Sequence, residues 1–344
     1  MNMSSSSFDV CAIGNALVDV IANASDEFLR DNKIAKGGMT LVDAEQAATL
    51  YDRIGPAVEM SGGSAANTVA GIASLGGNTA FMGKVKADQL GAIFRHDLHA
   101  QNVLFATPPV PERRHDVHPT TVDHRRGAPT GRCIILVTPD AQRSMSTYLG
   151  AAVEFGADDV QPEVVRAAQV TYLEGYLFDP PEAKNAFRHA AQIVRESGRK
   201  LALTLSDTFC VQRHRDEFLD LIRSDVDILF ANQSELLALY ETDDLNAAIT
   251  AARAACEVCV TTRSEKGAIV ATAQQLVEVP AAPVANVVDT TGAGDLFAAG
   301  FLFGYTHGKD LAESGRIGAI AAAEIISHFG PRSQVKLSDL IRQM

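Results

Sequence analysis

The chain has 344 residues, room for one large α/β domain or two smaller ones at roughly 100–200 residues per domain. Hydrophobic residues at 47% and charged residues at 21% exclude a disordered or fibrous protein. With 42 Asp and Glu against 30 Lys and Arg the net charge is -12, which removes the unspecific attraction that draws proteins to nucleic acids and anionic membranes. No apolar run approaches the ~18 residues of a bilayer span, and Met1 to Asp9 lacks both the basic and the apolar region of a secretory signal. A cytoplasmic location is expected.

Short runs of Val, Ile and Leu alternate with segments of helical period, the pattern of βαβ units around a mainly parallel sheet. A first strand at Asp9 to Ile13 leads to Asn15 and Asp19. Asp19 is either a solvated strand-edge acid or a short carboxylate able to accept two hydrogen bonds from a vicinal diol. From Ile13 to Asp43 strand-like alternation continues without a crossover helix. Ser61-Gly-Gly-Ser-Ala-Ala-Asn67 then opens a helix, Ala65 to Leu75, that Gly76-Gly77 closes. Gly62 and Gly63 permit close backbone approach by a polyhydroxylated ligand, and Asn67 offers it both a donor and an acceptor.

Next come a strand, Ala80 to Gly83, and a helix, Gln89 to Ala100. Pro108 to Pro129 is dense in Pro, Arg and His and reads as a loop; His115, Asp116, His118 and His124 could suggest a metal site, but in a polar loop they read better as bystanders. Arg132 to Leu149 is a second strand-like stretch without a helix; with Ile13 to Asp43 it can form a small separate sheet. Strands are then expected at Val170 to Leu173, Leu201 to Leu205, Ile228 to Phe230 and Val258 to Thr262. Helices are expected at Glu182 to Glu196, Asp216 to Ser224, Ser234 to Tyr240 and Leu245 to Ala255. Two further helices, Ala293 to Tyr305 and Leu311 to Ser327, end the chain. Five scattered cysteines fit reduced, buried thiols, and Cys256-Glu-Val-Cys259 has no second pair to complete a zinc site.

The strongest motif is Asp289-Thr-Thr-Gly-Ala-Gly-Asp295. Gly292, Ala293 and Gly294 can present consecutive N–H groups at a helix N-terminus, a seat for an anion. Asp295 in the first turn is placed to take a proton from an attacking hydroxyl. Alone, the same residues could be a strand-to-helix turn whose acid complements the helix dipole. No GxxxxGK(S/T) occurs and no GxGxxG follows a strand, which argues against a P-loop and a dinucleotide site.

In order and spacing, the regions Gly62 to Gly91 and Asp289 to Gly300 resemble the signatures of the PfkB, or ribokinase, carbohydrate kinase family, and the resemblance runs from Phe8 to Arg332. It implies a single α/β domain over 1–344: a ribokinase-like, mainly parallel central sheet flanked by helices. A small β-sheet lid would be inserted at about 14–43 and 103–150. ATP and Mg²⁺ are the implied cofactors. Asp295 matches the family's catalytic base, and the backbone of Gly292, Ala293 and Gly294 its anion hole. Asn232-Gln-Ser-Glu235 matches the N-x-x-E motif that holds Mg²⁺ largely through water; standing alone it is an N-cap with a capping acid. Asn15, Asp19, Gly63 and Asn67 match residues that hold substrate hydroxyls. The nucleotide loop T-x-G-x-x-G stands here as Thr262-Arg-Ser-Glu-Lys-Gly267, with Ser264 in place of the first glycine. Asp289 and Thr291 match positions that line a potassium site in many relatives.

Within the family the chain is most similar to adenosine and related nucleoside kinases, through Gly14-Asn15 with Asp19, Met39-Thr-Leu41, Pro129 to Cys133, Arg143 to Leu149, Glu174 to Phe178 and Leu205 to Phe209. Met39, Leu41, Met145, Tyr176 and Leu177 could line a flat apolar slot for a purine. The expected reaction is phosphorylation of the 5′-hydroxyl of a purine nucleoside such as adenosine. A sugar kinase would keep Asp19, Asn67 and Asp295 unchanged, and a silent nucleotide-binding regulator would have no need of Asp295. The expected partners are ATP and a small nucleoside or sugar, with no nucleic acid and no membrane; the sequence leaves the oligomeric state open.

Overall fold

The computed structural model describes residues 7–110, 127–140 and 142–342; the four polar residues His115, Asp116, His118 and His124 lie outside them. Among the described residues the apolar runs assemble into a nine-stranded sheet. Its spatial order is Leu276–Val279, Ala268–Ala271, Val258–Thr262, Ile228–Asn232, Lys200–Thr204, Ala168–Glu174, Phe8–Ile13, Thr79–Met82, Val103–Phe105. From Val258–Thr262 to Val103–Phe105 every pairing is parallel. The two strands at the other edge form an antiparallel hairpin that the sequence pattern leaves unmarked.

Strands covered on both faces have no reason to alternate, and Val10 to Ile13 and Leu201 to Leu203 are accordingly fully buried. Helices such as Pro181–Glu196 and Thr208–Ser224 cover one face around Phe178, Phe187 and Phe218. Ser64–Leu75, Ala293–Thr306 and Leu311–Ile325 cover the other around Ile72, Phe297, Phe301 and Ile317. The helix expected at Asp216 begins at Thr208, capped by the Asp207 carboxylate accepting from the Cys210 N–H at 2.6 Å. Its non-helical residue His214 and the charges around it hide the apolar period. All five cysteines are buried and free, and no helix among the described residues is long and apolar enough to cross a membrane.

A second sheet has five strands in the order Met39–Leu41, Arg143–Gly150, Thr130–Val137, Leu17–Asn23, Ala57–Gly62. It corrects the expected segments 14–43 and 103–150 in two places. Ala57–Gly62 lies outside both yet pairs antiparallel with Leu17–Asn23; as an edge strand its first residues are exposed and carry little apolar signal. Val103–Phe105 belongs instead to the large sheet, where Phe105 joins Phe81 and Phe94 with ring centroids 5.3–5.6 Å apart. The stretch Ile13 to Asp43, expected to show strand-like alternation without a crossover helix, also holds a short helix, Asp26–Asp31. Within this sheet side chains alternate by face. Val20, Ala22, Ile134 and Leu136 pack under Leu29 and Leu50, while Leu17, Ile21, Cys133 and Ile135 pack on the other side with Met60, Met145 and Phe329. Asp19 shares the face of Leu17 and Ile21, a carboxylate set directly among apolar neighbours.

The helices Ala293–Thr306 and Leu311–Ile325 touch backbone to backbone: a Cβ built on Gly300 would lie 2.6 Å from the Gly318 Cα and from the Ile317 carbonyl oxygen. Gly300→Ala must push the pair apart. We expect a loss of about 1–3 kcal/mol in stability, read as a lower urea midpoint at unchanged slope.

Candidate active site

A cavity of about 340 Å³ lies where the carboxyl ends of the parallel strands meet the small sheet, the usual place for a ligand in an open α/β fold. Glu174, Thr204, Asn232 and Thr262 reach it from strand ends, Asp19 and Met145 from the small sheet, and Gly292 to Asp295 from a helix start.

That helix start is prepared by its loop. Asp289 is fully buried and accepts from the Thr291 N–H (2.9 Å), the Thr291 hydroxyl (2.7 Å) and the Gly330 N–H (3.0 Å). Gly292 follows with φ +79°, a left-handed turn that glycine adopts without strain. No side chain caps the helix, and in front of Gly294 the space is open, so the positive end of the helix dipole faces the cavity. Asp295 sits in the first turn. Its Oδ1 accepts from the Ser64 hydroxyl at 2.6 Å and its Oδ2 from the Asn67 Nδ2 at 2.9 Å.

Those bonds decide how the asparagines face. Asn67 spends its donor on Asp295, and its Oδ1 is buried without a partner among the described residues. Asn15 gives its Nδ2 to Glu174 Oε1 at 2.9 Å, and its Oδ1 is likewise buried and unpartnered. Glu174 Oε2 meanwhile accepts from the Ala65 N–H at 2.8 Å, which ties the strand end to the helix carrying Ser64 and Asn67. Asp19 is 4% exposed, and a Cβ on Gly62 would lie 2.0 Å from its Cγ, so only glycine leaves this carboxylate room. Two amide oxygens and one carboxylate therefore wait for donors.

The site concentrates negative charge away from water. Burial pushes the carboxyl of Asp19 up to about 7, helped by Asp295, Asp289 and Glu174 and opposed by the cation of Arg332. Burial likewise pushes Glu174 and Glu235 up to about 7 and raises Asp295, which Ser64, Asn67, Arg143 and Arg332 pull back. Arg143 is already at the anion loop, its Nη1 donating to the Thr290 carbonyl at 2.7 Å.

Asn232 and Glu235 cap the helix Gln233–Tyr240 reciprocally, and both also line the cavity. Ser264, where the family pattern has glycine, takes φ +53° and lines the cavity as well. Gly267 does not; a Cβ there would strike the Val279 carbonyl at 2.0 Å, so this glycine closes the turn behind the site. Of the expected slot residues, Met39, Leu41, Met145 and Tyr176 line the cavity, whereas Leu177 is buried in the main core because the short helix Gly175–Phe178 turns it inward. Sequence reasoning left Ser64, Glu174 and Arg332 without a role. Ser64 was visible inside the Gly-rich motif, but Arg332 carries no local signal.

The pfkB family carbohydrate kinase profile matches residues 8–337. The chain is 52% identical to the adenosine kinase of Sinorhizobium meliloti, whose crystal structure superposes with a TM-score of 0.91 over 98% of this chain and 99% of that one. It is 50% identical to a probable sugar kinase protein of Rhizobium etli, with a TM-score of 0.92 over 98% of each chain. Among curated proteins, the adenosine kinase of Saccharomyces cerevisiae is 27% identical over 93% of this chain and 95% of its own length.

The upward shift of Asp19 makes a signed prediction. An acid whose folded pKa lies above its unfolded value costs stability as pH rises from about 4 through about 7. Asp19→Asn removes that cost, so its gain in Tm over the parent chain should be larger at pH 8 than at pH 5 in thermal scans. Equal gains at both would show that Asp19 is not buried as an acid.

Proposed function

The chain belongs to the pfkB family of carbohydrate kinases, and we propose that it transfers the γ-phosphoryl group of ATP to the 5′-hydroxyl of a purine nucleoside such as adenosine. The observation that carries the reading is the placement of Asp295 between two sets of groups. On one side stand Ser64 and Asn67, which orient it, and on the other the helix start at Gly292 to Gly294, which no side chain caps. An acceptor hydroxyl beside Asp295 gives its proton to the carboxylate as it attacks. Burial raises the pKa of this acid above the ordinary carboxylate value and makes it a better proton acceptor. The glycine amides and the helix dipole hold the phosphoryl oxygens, with Arg143 alongside.

Asn232 and Glu235 offer hard oxygen atoms at the cavity wall, a donor set that suits an ion held mainly by phosphate and water; no cluster of three or more His, Cys, Asp or Glu able to cage a metal occurs among the described residues. Mg²⁺ on ATP, when bound there, would neutralise charge on the phosphates. The unpartnered Asn15 Oδ1, Asn67 Oδ1 and Asp19 carboxylate suit the paired hydroxyls of a ribose. Met39, Leu41, Met145 and Tyr176 supply apolar walls for a base. The small sheet then acts as the lid that keeps water from the phosphoryl group.

A sugar kinase is the second reading. It is favoured by the likeness to the Rhizobium etli protein and by the fact that Asp295, Asn67 and Asp19 read hydroxyls and ignore the base. ADP release from ATP and Mg²⁺, measured against adenosine, inosine, guanosine, ribose, fructose and 2-keto-3-deoxygluconate, separates the two. Turnover on a nucleoside with none on free sugars is expected; turnover on a sugar alone would keep the mechanism and discard the purine slot. Asp295→Asn should fold normally and lose about 10²–10⁴-fold in kcat. Near-parental kcat would remove Asp295 from the base role.

A further inference from the structure

Residues 329–332 touch parts of the site that lie far apart in the chain. Phe329 packs beneath the small sheet with Met60 and Met145. The Gly330 N–H donates to Asp289, and Pro331 lies against Gly292, whose Cβ would come within 3.1 Å of it. Arg332 turns inward from this strap. Its Nη1 donates to the Ala66 carbonyl in the helix that carries Ser64 and Asn67, at 3.0 Å. Its Nη2 donates at 3.0 Å to the Ser61 hydroxyl, on the small-sheet strand that ends at Gly62. Its Nε is buried and unpartnered, and no carboxylate among the described residues lies within ion-pair distance. Asp19, Asp97 and Asp295 surround the guanidinium at longer range, and Asp97 also receives the Ser61 N–H at 2.9 Å.

We propose that Arg332 is a positioning residue for phosphoryl transfer. It pins the strand that frames Asp19 to the helix that orients Asp295, and its unpaired charge lets the buried Asp19 and the half-buried Asp295 stay ionised together. The proposal rests on the kinase reading above. A guanidinium in a tight ion pair would serve one acid; braced by two neutral acceptors, this one offsets several. Asp19 is faced by Arg332 on one side and by Asp295, Asp289 and Glu174 on the others, with the Cys133 thiol alongside. Asp295 is faced by Arg143 and Arg332, by the donors Ser64 and Asn67, and by Tyr172 and Glu174. Burial brings Arg332 itself down to about 10, so it stays charged at neutral pH.

The test is a ¹³C NMR titration of the side-chain carboxyls of Asp19 and Asp295, assigned with D19N and D295N, in the parent chain, R332Q and R332K. It is joined to the pH profile of kcat/KM on whichever acceptor turns over. In R332Q both carboxyl midpoints should rise by about one pH unit, and the acid limb of kcat/KM should move with them, so that a roughly tenfold loss at low pH shrinks at high pH. R332K, which keeps the charge and loses the fork, should retain the parental midpoints while the acceptor KM rises. Unchanged midpoints in R332Q with a loss uniform across pH would reduce Arg332 to a brace and overturn the proposal. Should R332Q not fold, midpoints displaced by a unit in R332K would overturn it equally. The titration needs no acceptor, so displaced midpoints without turnover on the panel would sink the acceptor assignment and leave this inference standing.

Discussion

The constraint on which this molecule depends is the burial of several carboxylates around one cavity. Asp19, Glu174, Glu235 and Asp289 are buried and Asp295 is partly so, and an uncompensated buried charge costs far more than one hydrogen bond returns. The fold meets that cost in three ways. Asp289 and Glu174 are consumed by backbone and side-chain donors and become structural ties. Glu235 closes a capping box with Asn232. Asp19 and Asp295 are left accessible to a ligand, and the cations of Arg143 and Arg332, with an open helix N-terminus, carry the compensation. The proposed chemistry uses the two acids that the protein does not tie down with backbone donors.

The same bonds that tie the site also specify what it lacks. Asn15 and Asn67 give their N–H groups to Glu174 and Asp295, so what remains toward the ligand is an acceptor in both cases. Reversing either amide would set oxygen against a carboxylate. Acidic anchors behind and amide oxygens in front therefore present acceptors to the cavity, which suits the hydroxyl-rich ligand of the proposed reaction. Close approach completes the arrangement: Gly62 gives Asp19 its space, and a Cβ on Gly63 would meet the Asn15 carbonyl at 2.3 Å.

Architecture puts these pieces within reach. Parallel strands deliver Glu174, Thr204, Asn232 and Thr262 to one edge of the large sheet, and the period of two in the small sheet turns Asp19 to the same cavity. A one-residue slip of Leu17–Asn23 against Thr130–Val137 would bury Val18 and Val20 in the cavity and send Asp19 to the far side. The apolar contacts of Leu17, Ile21, Cys133 and Ile135 with Phe329 hold that register.

The amino-acid sequence by itself determined the local devices: the βαβ rhythm, the glycine turns at Gly62–Gly63 and Gly292–Gly294, the acid at Asp295 and the spacing of Asn232 and Glu235. Each is legible because its physics acts within a few residues, where periodicity, turn conformation and helix capping leave their mark. Only the tertiary structure decided the pairings that make those devices a site. Ser64 meets Asp295 across 231 positions, Asn15 meets Glu174 across 159, and Arg332 reaches Ala66 across 266. It decided as well that Ala57–Gly62 joins the small sheet and Val103–Phe105 the large one, and that Leu177 faces the core. Such choices rest on which buried groups find partners and which apolar faces find cover, and those partners come from distant segments that carry no trace of one another in their own composition.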